Sequence, residues 1–214
     1  FTYDKLQQYQ SASFYEKSGT SWTSVSKYRE TIGSYDKNGN ILSLQRTDAN
    51  GTLLHNLTYT YGSSTDGNIL TGVTGSSEFL YDAHGNMTKD GQTGVQIEYN
   101  ILNLPQRIYK GSDQISYIYS AAGQKLATQT GSSLTYYRSV MVYSKNGTDP
   151  QQLLYMIHPE GLVAKEGSSW VYKYFKTDYL GNTRALLAVR NGTLVNEGQN
   201  TDYYPLGYAH ALSN

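Results

Sequence analysis

The chain has no cysteine, so neither disulfides nor thiolate metal sites can hold it together; that absence fits the cytoplasm and export equally well. It has no charge of one sign to spare. Lys plus Arg and Asp plus Glu both number 17, and no basic run offers the footprint that releases counterions from a nucleic acid, which argues against such a partner. No apolar run approaches the roughly 18 residues of a membrane span, which argues against membrane insertion, and the opening FTYDKLQQYQ is not a signal peptide. Helical periodicity is missing too: no segment of about 12 residues repeats its apolar positions every 3.6. Hydrophobic residues are 38% of the chain, below the roughly 45–50% of ordinary globular domains, so a thick dry core is not expected.

What is there is tyrosine and turns. Tyr occurs 22 times against 4 Phe and 2 Trp. Its ring suits a pleated surface and its hydroxyl suits one that stays partly wet. Apolar and polar residues alternate in QISYIY at 114–119 and WVYKYF at 170–175, as strands require. Between such runs one phrase recurs: YDKNGN at 35–40, DANG at 48–51, TDGN at 65–68, YDAHGN at 81–86, YNILN at 99–103, YSAAG at 119–123 and DYLGN at 178–182, with SKNG at 144–147 and RNG at 190–192 as shorter variants.

The parts of the phrase have separate tasks. Asp36 and Asp82 sit where a turn wants a short acceptor for a backbone N–H two residues on. Gly39, Gly85 and Gly123 sit where the chain must take positive φ to return as a hairpin. Successive tyrosines Tyr61, Tyr81, Tyr99 and Tyr119 are twenty, eighteen and twenty residues apart, enough for two strands and two turns. The fold class is therefore all-β, antiparallel β-hairpin repeats forming an extended twisted sheet. A single sheet is expected, with exposed edges open to edge-to-edge self-association.

YDKNGN and YDAHGN resemble the YD repeats of RHS-repeat proteins, a family that includes the Tc-toxin shell subunits and the teneurins. Residues 172–207, YKYFKTDYLGNTRALLAVRNGTLVNEGQNTDYYPLG, are similar to the RHS repeat-associated core, with its D-H-L-G-N/S-T-R and D-Y-Y-P-F-G phrases. Asp178, Leu180, Gly181, Asn182, Thr183 and Arg184 match the first phrase, and Asp202, Tyr203, Tyr204, Pro205 and Gly207 match the second. Tyr179 stands for the usual His and Leu206 for the usual Phe. The resemblance divides the chain into a repeat region, 1–134, and a core region, 135–214, truncated at its C-terminal end before the family's autoprotease motif. Because residues 1–4 already look like a strand entering a turn, the array is expected to extend beyond them.

The resemblance implies a ribbon of hairpins spiralling into a hollow shell, a non-catalytic structural segment of an exported or cell-surface bacterial protein, with a C-terminal toxin domain as enclosed cargo. The alternative is a carbohydrate-binding or adhesion module whose exposed Trp22, Tyr136, Tyr137, Trp170 and Tyr172 stack on cell-surface glycans. No catalytic, cofactor or metal site is implied: His55, His84, His158 and His210 lack the spacing of a metal pair, and no nucleophile elbow or phosphate loop occurs. Asp178, Gly181, Arg184, Asp202 and Pro205 read as structural, with Arg184 stapling neighbouring strands through its several donors and Pro205 ending a strand.

Overall fold

The computed structural model describes residues 1–62 and 67–210. Among them every regular element is a strand and no helix occurs. A six-stranded sheet holds β1 (Thr2–Tyr3), β2 (Tyr9–Ser18), β3 (Ser21–Tyr35), β4 (Ile41–Thr47), β5 (Leu53–Tyr61) and β6 (Leu70–Val73). A thirteen-stranded sheet follows: β7 (Leu80–Tyr81), β8 (Met87–Lys89), β9 (Gln96–Tyr99), β10 (Pro105–Lys110), β11 (Asp113–Tyr119), β12 (Lys125–Thr130), β13 (Ser133–Arg138), β14 (Met141–Asn146), β15 (Gln152–His158), β16 (Gly161–Glu166), β17 (Ser169–Thr177), β18 (Thr183–Arg190) and β19 (Thr193–Asn200). Strand order is chain order in both sheets, so each is an antiparallel meander of hairpins.

The expectation of one continuous sheet needs correction. Past β6 the chain closes on itself: the Ser76 hydroxyl accepts the Val73 N–H at 3.0 Å and donates to the Val73 carbonyl at 2.7 Å. Backbone groups that would extend the ladder are thereby used locally. The chain falls into two compact units. The first comprises Phe1–Leu80, Gly91–Thr93 and Thr201–Asn214, and the second Tyr81–Asp90 and Gly94–Asn200. The motif-based division at 134/135 is one of sequence, and falls within β13. Of the TDGN phrase, Thr65 and Asp66 lie outside the described residues.

Both cores are thin. Ile32, Leu44, Val73, Phe79 and Tyr204 are buried in the first unit, and Ala127, Val142, Val171 and Ala188 in the second. In the first unit, alternation places two charged residues inward beside apolar ones: Glu30 with Ile32 on β3, and Arg46 with Leu44 on β4. Glu30 and Arg46 are direct cross-strand partners. In the second unit Gly161 pairs Tyr174 so closely that a Cβ would lie 2.0 Å from the Lys173 carbonyl oxygen.

Candidate functional site

The recurring phrase builds one loop. At eight places the N–H of the first residue donates to the carbonyl four residues on, and the N–H of the fourth residue donates back to the carbonyl of the first; the loops begin at Asp4, Asp36, Asp48, Asp82, Asn100, Ser120, Asp178 and Tyr204. The fourth residue has positive φ every time: Gly39, Gly51, Gly85, Gly123, Gly181 and Gly207 at 79–85°, Asn103 at 56° and Gln7 at 62°. The shorter phrases need correction: Ser144 to Asn146 lie in β14 and the Gly147 N–H goes to the Ser132 carbonyl, while Asn191 and Gly192, both at positive φ, make a two-residue hairpin between β18 and β19. Asp36 Oδ1 accepts the N–H groups of Asn38 and Asn40, and Asp82 Oδ1 those of His84 and Asn86, all at 2.8–2.9 Å. Asp178 does the same with Leu180 and Asn182.

The Asn40 and Asn86 side-chain amides, with backbone N–H groups, hold the Asp36 and Asp82 carboxyls below the usual carboxylate range. For Asp178 desolvation pushes upward, but Asn182, Leu180 and the charge of Arg184 outweigh it. The turn entered at Asp4 was legible in the sequence, but its full loop was not, because Gln7 stands where the others carry Gly or Asn.

A second regularity joins loop to loop. The tyrosine that ends a strand donates its hydroxyl to the carbonyl of the residue just past an earlier loop: Tyr35 to Tyr9, Tyr61 to Ile41 at 3.0 Å, Tyr99 to Met87 at 2.9 Å and Tyr119 to Pro105 at 2.9 Å. Asn side chains add a parallel link, Asn40 to Asn68 at 2.9 Å and Asn86 to Asn103 at 3.1 Å. Tyrosine thus serves as a register pin, which is why Phe cannot replace it at these positions without loss of a bond.

The loop at Tyr204 uses the same backbone with Tyr in place of Asp, and this side chain turns into the first sheet. Its ring is 2% exposed and its hydroxyl donates to the Thr47 carbonyl at 2.5 Å. Beneath it lies the ion pair: Arg46 Nε is 2.7 Å from Glu30 Oε2, with Glu30 fully buried. The Leu206 N–H donates to Glu30 Oε1 at 3.2 Å. The Arg46 guanidinium sits 5.6 Å from the Tyr204 ring centre and 4.9 Å from that of Tyr208. His210 stacks on Tyr28 at 4.2 Å, and His55 meets Tyr208 edge-on at 4.8 Å. Burial and the neighbouring Arg46 lower the His55 pKa, and burial raises those of Tyr204 and Tyr9.

Asp202 and Pro205 belong to this cover: the Asp202 carbonyl accepts the His210 N–H at 2.8 Å, and Pro205 follows Tyr204 in the loop, two residues past the Tyr203 bridge to Ala209. The cluster of Glu30, Arg46, Tyr28, His55, Tyr208 and His210 was not foreseen. Its one sequence signal was an acid and a base at inward positions of two adjacent alternating strands.

The fold is that of a stretch of Tc-toxin chains. The chain matches one in the Photorhabdus luminescens Tc holotoxin pore carrying a TccC3 point mutation, with TM-score 0.70 and 18% identity over 97% of its length. It matches the TcdB2-TccC3-TEV crystal structure at 0.68, 18% and 98%, and the TcdB2-TccC3-Cdc42 crystal structure at 0.66, 17% and 97%. In each case it spans 12% of the other chain. No protein-family model matches the chain, and no curated protein gives a significant match.

The aromatic positions do not form one platform. Trp22 is exposed on β3 opposite Lys17, in the first unit. Tyr136 and Tyr137 are consecutive on β13, so they face opposite sides of the sheet. Trp170 and Tyr172 alternate on β17 and share a face, 44% and 53% exposed. The pairings Tyr136–Tyr143, Met141–Met156, Met156–Val163 and Val163–Tyr172 put Tyr136 on that face too, but four strands away, about 19 Å at the usual strand spacing. On the opposite face Lys173 and Arg190 bind Glu166 and Glu197 in a four-charge network with contacts of 2.6–2.9 Å.

Proposed function

We propose that the chain is a non-catalytic wall segment of an exported or cell-surface bacterial RHS-type shell, residues 1–134 supplying repeats and 135–214 the core region, and that the wall is a scaffold for a C-terminal toxin cargo. The observation that carries this reading is the loop-and-pin repeat, in which Asp loops and tyrosine hydroxyls fix the register of one hairpin on the next without a thick core. Such a wall extends by adding hairpins, and its likeness to Tc-toxin chains over 97% of its length supports that use. Turn and core-motif residues, including Arg184, act in this reading through stability. The test is proteolysis of the full-length protein: a region C-terminal to this chain resists proteinase K while the wall is folded and is digested once it is unfolded. Digestion of that region from the folded protein would refute cargo enclosure.

A second reading, carbohydrate binding, is favoured only by the exposed Trp170 and Tyr172 pair, since stacked sugars need two or more rings on one face. A glycan array decides between them. The wall reading expects no saturable binding, whereas binding abolished by Trp170→Ala in a folded protein establishes the module.

A further inference from the structure

We propose that the side of β14 to β19 carrying Trp170 and Tyr172 docks on an anionic lipid bilayer, lying on its surface without spanning it. The inference goes beyond the wall reading, and it takes the two rings that the carbohydrate reading would use.

Cross-strand pairing fixes what this face contains. Met141 pairs Met156, Met156 pairs Val163 and Val163 pairs Tyr172; Ala188 pairs Lys173, which puts Val189 beside Tyr172, and Val189 pairs Leu194. Six strands thus give one apolar side chain each to a row about 24 Å long at the usual strand spacing. Tyr172 and Leu194 are 53% and 57% exposed, and Trp170, one step along β17 on the same face, is 44% exposed. The buried residues Val142, Val171 and Ala188 all alternate onto the other side, so the row is not the sheet's core. Charge decides the partner. β14 to β19 hold two carboxylates, Glu166 and Glu197, and Lys173 and Arg190 engage both on the opposite face. The face of the row carries cations alone: Lys165 directly opposite Trp170, Lys176 at the far end of the Trp170, Tyr172 and Tyr174 alternation, and Lys145 two places past Tyr143. Among the described residues neither Lys165 nor Lys176 has a carboxylate within ion-pair distance. A sugar site sets hydrogen-bonding groups around its stacking rings, and Val163, Val189 and Leu194 supply none. A bilayer interface takes what is here: Trp and Tyr rings at headgroup depth, aliphatic side chains at the acyl boundary, and lysines against anionic headgroups.

The test uses the whole chain with Trp22→Phe, which leaves Trp170 as the one tryptophan, and vesicles of phosphatidylglycerol mixed with phosphatidylcholine. Adding vesicles is expected to shift Trp170 emission to the blue and to carry the chain into the vesicle pellet. Partition into pure phosphatidylcholine, or into the mixed vesicles at high salt, is expected to be at least tenfold weaker. Lys165→Glu/Lys176→Glu is expected to lower partition at least tenfold, whereas the same charge change at Lys17 and Lys37, in the first unit, leaves it unchanged. Both Lys165 and Lys176 are exposed, so that variant is expected to melt as its parent does, and the Trp170 shift is read without any charge variant. No pelleting with anionic vesicles, equal partition into neutral ones, an unshifted Trp170 or an equal loss from the Lys17 and Lys37 change each overturns the proposal. So does glycan binding that Tyr172→Ala abolishes in a chain that ignores vesicles, which would give the face to the carbohydrate reading.

Discussion

The two compact units solve the same problem, stabilising a thin sheet, by opposite means. The second unit is held almost wholly by neighbours in sequence: β7 to β19 pair in order, the loops are repeated, the tyrosine pins span 12 and 14 residues, and its ion network is partly exposed. The first begins in the same way but places a charged pair where apolar side chains would serve, then covers it with a segment from the far end of the chain. Removing two charges from water is expensive unless each finds several partners. Glu30 finds Arg46 and the Leu206 N–H. The difference teaches that a repetitive wall can be assembled from local rules, while a cover over it demands a contact that no local rule supplies.

The contrast should be most sharply broken by Glu30→Ala. It leaves Arg46 buried without its partner and is expected to cost about 3–5 kcal/mol. Hydrogen exchange should show lost protection in β3 and β4 with β10 to β18 unchanged; uniform loss in both units would mean that their stabilities are not separable. In the second unit the largest effect is expected at Gly161→Ala, where a methyl meets backbone rather than a movable side chain, at about 1–3 kcal/mol by denaturant melt.

Smaller losses should sharpen the picture of the repeat. Tyr119→Phe removes the hydroxyl bound to the Pro105 carbonyl and should cost about 1 kcal/mol, with exchange increased around β10 and β11. Gly85→Ala should cost about 1 kcal/mol through its φ of 82° alone, since its Cβ would meet nothing within 4 Å. A melt unchanged at either position would remove that position from the loop-and-pin account.

Acid should separate the units with the least effect per group. His55 has a lowered pKa, so its contribution is present above the ordinary histidine value of about 6.5 and falls as pH drops below it. Glu166, held at about 2 by Arg190 and Lys173, contributes above the ordinary glutamate range and loses that contribution as pH falls toward 2; Glu197, lowered by Lys173 and Arg190, likewise loses its contribution below the ordinary range. Exchange measured from pH 7 to 3 should therefore show the first unit weakening near the Tyr208 contact before the charge network of β16 to β19 does. The reverse order would show that His55 does not govern the cover.

Local chemistry by itself determined the strands and loops of this protein. Alternation specifies a strand, Asp followed three residues later by Gly specifies the return, and a tyrosine spacing of eighteen to twenty residues specifies repeated hairpins. These are properties of adjacent residues, and the all-β antiparallel fold follows from them. Only the tertiary structure decided where the ladder divides, because Ser76 could have pointed outward as easily as back to Val73. It also decided that Gln7 takes the conformation of a glycine, and that Tyr204 turns inward where Asp178 stays in its own loop. The partnership of Glu30 and Arg46 was latent in two alternating strands, but its cover was not. A contact across 176 residues is chosen by the packing of the whole unit, where a buried carboxylate must find a donor, and no periodicity in the chain records which donor that will be.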